Sequence, residues 1–253
     1  MNLKLRETAV FAATEAGKIL LNHYGKVSVE FKDDAFSASS VVTIADRESE
    51  NLIVDIIKNK FPNHGIYAEE THQENLDAEY VWYIDPLDGT SNFTRNIPLF
   101  GISIGVIKNG QPVCGVLYFP VLNLLVEAEE GMGTLVNGER SRVSSRPLNQ
   151  ALYYSAGKHD GVVQIHDGIT NACGMVKIID SSSYEFAQIA MGDAEVYYFK
   201  NVPHDVVAGI CIVNEAGGKV SDSQGNKWSL SSKDILVAPS SLHSELLSIL
   251  SKK

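Results

Sequence analysis

The sequence predicts a mixed α/β fold, with an antiparallel N-terminal sheet carrying helices and a smaller α/β lobe after it. Three observations carry this expectation. Two amphipathic helical periods open the chain, at residues 3–24 and 43–61. A run of apolar strands follows, punctuated by Asn109-Gly110 and Asn137-Gly138, a dipeptide that favours the tight turns of hairpins. From Ser183 onward, helical and strand-like segments alternate.

The first helix is read from Leu3 to Tyr24, with Val10, Ala13, Gly17, Leu20, Leu21 and Tyr24 on one side and Gly25 ending it. Lys26 to Ser40 is polar and aperiodic, with Lys32, Asp33 and Asp34 at its middle, and is expected to be a mobile loop or an edge hairpin. The second helix begins around Thr43 and stops at Phe61-Pro62, with Leu52, Ile53, Ile56 and Ile57 as its buried stripe. Thr43-Ile44-Ala45-Asp46 resembles a capping box with Asp in place of Glu, so Asp46 by itself reads as a cap. Gly65 to Ala68 suggests a short strand ending at Glu69-Glu70. Ile102, Ile104 and Val106 alternate with small residues, as in a strand packed on one face. With Val113 to Phe119 and Leu122 to Ala128 they make an antiparallel meander. The Ser- and Arg-rich segment from Ser141 to Pro147 marks the expected lobe boundary, giving lobes of residues 1–145 and 146–253. Beyond it come a helix from Ser183 to Met191, a strand from Val196 to Phe199 and a helix from Asp205 to Ala216. Pro203 introduces that last helix and Gly217-Gly218 closes it. A strand from Ile235 to Ala238 and a short helix finish the chain.

With 253 residues the chain can bury one large core or two lobes sharing one. A net charge of −10 offers no basic excess to offset phosphate repulsion, which argues against nucleic acid as a primary ligand. Cys114, Cys173 and Cys211 are widely spaced among apolar neighbours, as expected of reduced thiols in a cytoplasmic protein. Lys4, Arg6, Glu7 and Glu15 in the first turns fit neither a signal peptide nor a membrane span, and no later segment is apolar for long enough to cross a bilayer.

Chemistry is concentrated in W-Y-I-D-P-L-D-G-T-S-N-F, from Trp82 to Phe93. Val81 to Ile84 is apolar and β-prone, a buried strand that delivers Asp85 and Asp88 into a tight turn. Pro86 fixes φ there, and Gly89 permits conformations a side chain would forbid. Thr90 and Ser91 suit a helix start, where free N–H groups point outward. Anionic metal ligands beside an anion-binding helix terminus suit a phosphate bridged to the protein by divalent cations.

Together with A-E-E at Ala68 to Glu70 and H-D-V-V-A-G-I-C-I-V-N-E-A-G-G from His204 to Gly218, this stretch resembles the inositol monophosphatase family. These are magnesium-dependent, lithium-sensitive phosphomonoesterases related to fructose-1,6-bisphosphatase. The resemblance covers nearly the whole chain in order and spacing. It implies a layered α-β-α-β-α sandwich with the site between the lobes, and a homodimer. It implies two or three Mg2+ ions held by the side chains of Glu69, Asp85, Asp88 and Asp205 and the carbonyl oxygen of Leu87. Asp205 would otherwise read as a helix N-cap. Thr90 would pair with Asp46 so that its hydroxyl helps deprotonate the attacking water, with Glu70 assisting, and no covalent phosphoenzyme is expected. Backbone N–H groups from Gly89 to Ser91 would hold the phosphate.

Several positions depart from the family's pattern. His204 stands where Trp is usual, and Ser40 where Asp often precedes the second helix. Inositol-specific members carry a Glu shortly upstream of the second-motif Asp that grips ring hydroxyls. Here Tyr198 to Pro203 holds no acid, and Lys200 offers a cation that could meet an anionic group of the substrate. Lys32 stands near the position of the family's basic loop residue. The expected function is therefore hydrolysis of a small polyol or sugar phosphate, inositol 1-phosphate-like. Fructose 1,6-bisphosphate, histidinol phosphate and phosphoadenosine phosphate are alternatives. A haloacid-dehalogenase route would need one residue between the two aspartates, and a calcium loop would need acids at alternate positions; neither spacing is present. A regulatory protein on a phosphatase fold is the rival from another class, and the retained acids speak for an enzyme.

Overall fold

The computed structural model describes residues 5–26, 30–31, 41–155, 158–159, 162–163 and 166–251. Lys32 to Ser40, with the loop expectation made for them, lie outside the described residues.

Helix α1 (Leu5–His23) is followed by β1 (Glu30–Phe31) and β2 (Val41–Val42), which pair antiparallel. Helix α2 (Ile44–Lys60) starts on a capping box in which Thr43 and Asp46 satisfy each other's end of the first turn. Next come β3 (Gly65–Ala68), β4 (Gln73–Glu74), β5 (Tyr80–Asp88), the one-turn helix α3 (Thr90–Thr94), β6 (Gly101–Lys108), β7 (Gln111–Phe119), β8 (Leu124–Glu129), β9 (Gly133–Val136) and β10 (Glu139–Arg140). They form an eight-stranded sheet in the order β10-β9-β8-β7-β6-β5-β3-β4, in which β3 and β5 alone run parallel. Both Asn-Gly pairs sit at hairpin turns with positive φ, as their sequence predicts.

After irregular residues 141–147 come β11 (Leu152–Ser155), the short pair β12 (Lys158–His159) and β13 (Val162–Val163), α4 (Asp167–Ala172), β14 (Met175–Lys177), α5 (Ser182–Ala190), β15 (Val196–Lys200), α6 (Pro203–Glu215), β16 (Gly218–Ser221), β17 (Asp234–Pro239) and α7 (Ser240–Leu250). Their main sheet is mixed, in the order β14-β11-β15-β17-β16.

Three apolar cores stack these elements into five layers. Side chains of α1 and α2 (Ala13, Leu20, Ile53, Ile57) pack on Trp82, Ile84, Ile102 and Ile104 of the first sheet. The opposite face of that sheet shares a core with α5, α6 and the second sheet, joining Tyr83 and Leu117 to Phe186, Val207, Tyr197 and Val237. Outside the second sheet, α4 and α7 bury Ile169, Leu242 and Leu246 against Tyr153, Val196 and Leu236. The layering is α-β-α-β-α, and the central apolar layer belongs to both halves of the chain.

Two local expectations change. β6 is buried on both faces rather than one, because the small residues of β6 and β7 admit α6 at close range. A Cβ on Gly115 would stand 2.2 Å from the Ala208 carbonyl oxygen. Residues 85–88 are not a tight turn either. β5 continues through Pro86, with Asp85 opposite Ser103 and Asp88 opposite Gly101, and a bulge absorbs the register shift between them. A bulge breaks the ladder locally, so Pro is tolerated there. β16 escapes a sequence reading because Gly218, its first residue, reads as a helix stop.

Candidate active site

The site is built where β3 and β5 end side by side. Glu69, just past β3, donates its N–H to the carbonyl of Ile84 over 3.1 Å, which sets it beside Asp85 on the parallel neighbour. Asp88 follows after the bulge. Asp205 arrives from the other half of the chain, in the first turn of α6, which the close approach at Gly115 holds against the sheet.

Electrostatics report how near these acids lie. Asp85 is 3% exposed. Burial pushes its carboxyl well above the usual range, and Glu69, Asp88 and Asp205 each push it further. Burial and then Asp205 raise Asp88 to about 7, against hydrogen bonds from Ser181 and Ser183 that lower it. Glu69, Asp88 and Asp205 are therefore all near enough to Asp85 to act on its charge. His204 pairs with Asp205, its Nε2 lying 3.0 Å from Oδ1, and stacks its ring on Tyr67.

The donor set suits a hard divalent cation: carboxylate oxygens, a main-chain carbonyl and a hydroxyl, packed where ionising several acids together is costly without a cation. As arranged, no three Asp, Glu, His or Cys side chains among the described residues are placed to hold one ion. Two of the expected donor groups are engaged by protein partners. Oδ2 of Asp88 accepts from the hydroxyls of Ser181 and Ser183 and, at 2.9 Å, from the Ser183 N–H. Oδ1 accepts from the Ser182 N–H at 3.2 Å. The Leu87 carbonyl accepts from Thr90 Oγ1 at 2.9 Å. A cation would compete with these donors for the same oxygens.

Thr90 also reaches Asp46, with Oγ1 3.4 Å from Oδ1. A hydroxyl has one proton, and the shorter contact to Leu87 takes it in this arrangement. The other Asp46 oxygen is held by Thr43, from N–H at 2.8 Å and hydroxyl at 2.6 Å, so the residue is both cap and site neighbour. Burial raises its carboxyl to about 6, with Glu69 contributing.

Gly89 caps α3 with φ of 80°, a left-handed conformation, and a Cβ there would lie 2.9 Å from the Leu99 carbonyl and 3.2 Å from Ser181 Cβ. Thr90 and Ser91 follow it as the first two residues of α3. Ser91 Oγ donates to Asp180 Oδ2 at 2.6 Å. Lys200 is exposed at the end of β15, opposite Asp234.

Several residues that build the site went unassigned in the sequence. Glu50, fully buried, accepts from the N–H of Glu70 (2.7 Å) and of Thr71 (2.9 Å), from Thr71 Oγ1 (2.7 Å), and pairs with His72 Nδ1 (2.7 Å). Burial alone would raise its carboxyl, but the hydrogen bonds from Thr71, His72 and Glu70 prevail and hold it below the usual range. Thus Glu50 staples the turn that presents Glu69 and Glu70. The signal for it was a second acid four residues after Asp46 on the apolar side of α2. Asn92 Nδ2 donates to the carbonyls of Leu99 and Ile179, both at 2.8 Å, and Ser49 Oγ to that of Pro86 at 3.1 Å. Ser181 and Ser183 could have been suspected from the Ser run that opens α5. At the far end of α6 a cavity of about 340 Å³, lined by Gln111, Asn214, Lys219 and Trp228 among others, contains none of the site acids.

Comparison with known proteins gives a concordant result. The family model described as the inositol monophosphatase family matches residues 1–253. A Thermotoga maritima protein named fructose-1,6-bisphosphatase/inositol-1-monophosphatase is 33% identical over 240 residues, covering 94% of this chain and 92% of its own. The Nus factor SuhB of Pasteurella multocida is 30% identical over 248 residues, covering 94% and 92%. The structure of inositol monophosphatase from Anabaena (Nostoc) sp. PCC 7120 superposes with a TM-score of 0.85 at 31% identity, covering 97% of this chain and 94% of that one.

Proposed function

The chain belongs to the inositol monophosphatase family of phosphoric monoester hydrolases, and on that premise we propose that it is a Mg2+-dependent phosphomonoesterase acting on a small polyol or sugar phosphate. The observation that supports this most is the meeting of Glu69, Asp85, Asp88 and Asp205 within reach of the Thr90–Asp46 contact. The side chains of these four acids and the Leu87 carbonyl are the groups that would hold two or three ions. Mg2+ held there would act as a Lewis acid that polarises the phosphate and lowers the pKa of water, so that water can be deprotonated to the attacking hydroxide.

The chain's own residues do the rest. With its hydroxyl turned from the Leu87 carbonyl to Asp46, which Thr43 fixes, Thr90 would accept a proton from the attacking water on its oxygen and give its own to the carboxylate. Glu70, tethered through its N–H to Glu50, stands next to Glu69 as a further acceptor. N–H groups at Gly89 to Ser91 bind phosphate oxygens and fix the angle of attack. Lys200 is assigned to an anionic group of the substrate.

Family membership also supports a homodimer, which sedimentation would test. The three free cysteines, and the lack among the described helices of any long and apolar enough to cross a membrane, support a cytoplasmic protein. The deciding experiment is phosphate release from inositol 1-phosphate, fructose 1,6-bisphosphate, histidinol phosphate and phosphoadenosine phosphate, with and without Mg2+ and with added Li+. Release that requires Mg2+ and is suppressed by Li+ is expected. Release from none of them would favour the second reading, a regulatory protein on a phosphatase fold, which the likeness to a Nus factor brings forward.

A further inference from the structure

The segment 179–183 comes from the second half of the chain, is anchored to α3 and Asp88, and holds one aspartate in an uncommon backbone conformation. Asp180 has φ of 64°, in the left-handed region that aspartate tolerates better than most side chains. The segment is pinned on both sides of it. Asn92 Nδ2 donates to the carbonyls of Ile179 (2.8 Å) and Asp180 (3.4 Å), and Ser183 N–H donates to Asp88 (2.9 Å). Between these anchors the Asp180 carboxylate faces solvent. Its Oδ2 accepts from Ser91 Oγ at 2.6 Å, and no described residue bonds its Oδ1. A carboxylate is thus fixed one hydroxyl away from the backbone assigned to the phosphate.

We propose that Asp180 is a specificity-determining residue, whose open oxygen accepts hydroxyl groups from the alcohol part of the substrate and whose charge turns away a second phosphate. The inference deepens the phosphatase reading and rests on it. A carboxylate is an acceptor only, and alcohol hydroxyls are its natural donors. A fully ionised second phosphate has no proton to donate and brings like charge. The favoured class is therefore monophosphates of uncharged, polyhydroxylated alcohols, with bisphosphates discriminated against.

The test is steady-state phosphate release, with Mg2+, by the full-length parent, Asp180→Asn and Asp180→Gly. The substrates are inositol 1-phosphate, phenyl phosphate (which has no hydroxyls) and fructose 1,6-bisphosphate. Asparagine and glycine both accept the left-handed backbone, so the loop is retained while the charge is lost. In both variants kcat/KM for inositol 1-phosphate relative to phenyl phosphate is expected to fall about tenfold, mostly through KM. The ratio of bisphosphate to inositol phosphate is expected to rise by about the same factor. Unchanged ratios, with kcat falling alike on all three esters, would mean that Asp180 only locks the loop, and the proposal would be overturned while the phosphatase reading stands. A parent that releases phosphate from none of the three would overturn the proposal, and the phosphatase reading with it if histidinol phosphate and phosphoadenosine phosphate are also left intact.

Discussion

The N–H of Ser183 donates to Oδ2 of Asp88 over 2.9 Å, so an acid at the end of β5 also closes the first turn of α5. The family resemblance in the sequence implied that Asp88 is a metal ligand. Its place at the helix terminus separates two substitutions. Asp88→Asn keeps an oxygen for Ser183 and removes a carboxyl that burial raises to about 7, so its stability should stay within about 1 kcal/mol of the parent. Turnover should nonetheless fall by roughly a thousandfold or more. Asp88→Ala leaves two N–H groups and two hydroxyls without that acceptor, and should cost about 1–3 kcal/mol in addition. Denaturant unfolding beside phosphate release checks both. Equal stability of the two variants would deny the capping role.

Glu50 touches no expected substrate group yet holds the turn carrying Glu69 and Glu70. Glu50→Ala should destabilise by about 1–3 kcal/mol, since partly buried donors on Glu70, Thr71 and His72 lose their acceptor. It should also raise the Mg2+ concentration needed for half-maximal activity. A Mg2+ titration unchanged from the parent would show that the turn holds its shape without the staple.

For the Thr90–Asp46 pair, the expectation concerns rate rather than binding. Thr90→Ser should retain most activity, because the hydroxyl remains. Thr90→Val and Asp46→Asn should each lower kcat by roughly 10²- to 10⁴-fold with little change in KM. A Thr90→Val enzyme with parental kcat would remove the hydroxyl from the mechanism.

His243 gives a pH prediction distant from the acids. It is fully buried, with Nε2 3.0 Å from Ser221 Oγ, and burial, then Lys219, depresses it to about 4. Between about 6.5 and 4 the unfolded chain binds a proton that the folded chain refuses. The stabilisation is therefore complete above about 6.5 and is lost as pH falls through that window, by about 3 kcal/mol. Thermal melts of the parent and His243→Gln from pH 7.5 to 4 test this, and the variant should show the shallower decline. Identical slopes would assign the acid sensitivity elsewhere.

Sequence by itself determined what short-range spacing encodes. The capping box at Thr43–Asp46, both Asn-Gly hairpins, the strand-to-helix passage from Trp82 to Phe93 and the Pro203 start of α6 follow from neighbours a few positions apart. The family, and with it the set of acids worth watching, was legible for the same reason. Tertiary structure alone decided which acids share a field, that β5 bulges instead of turning, and that Ser183 meets Asp88, Glu50 holds Glu70 and Asp180 meets Ser91. Those pairs lie between 20 and 95 positions apart. No local period records such distances, because they are set by how buried faces of separate layers settle against one another.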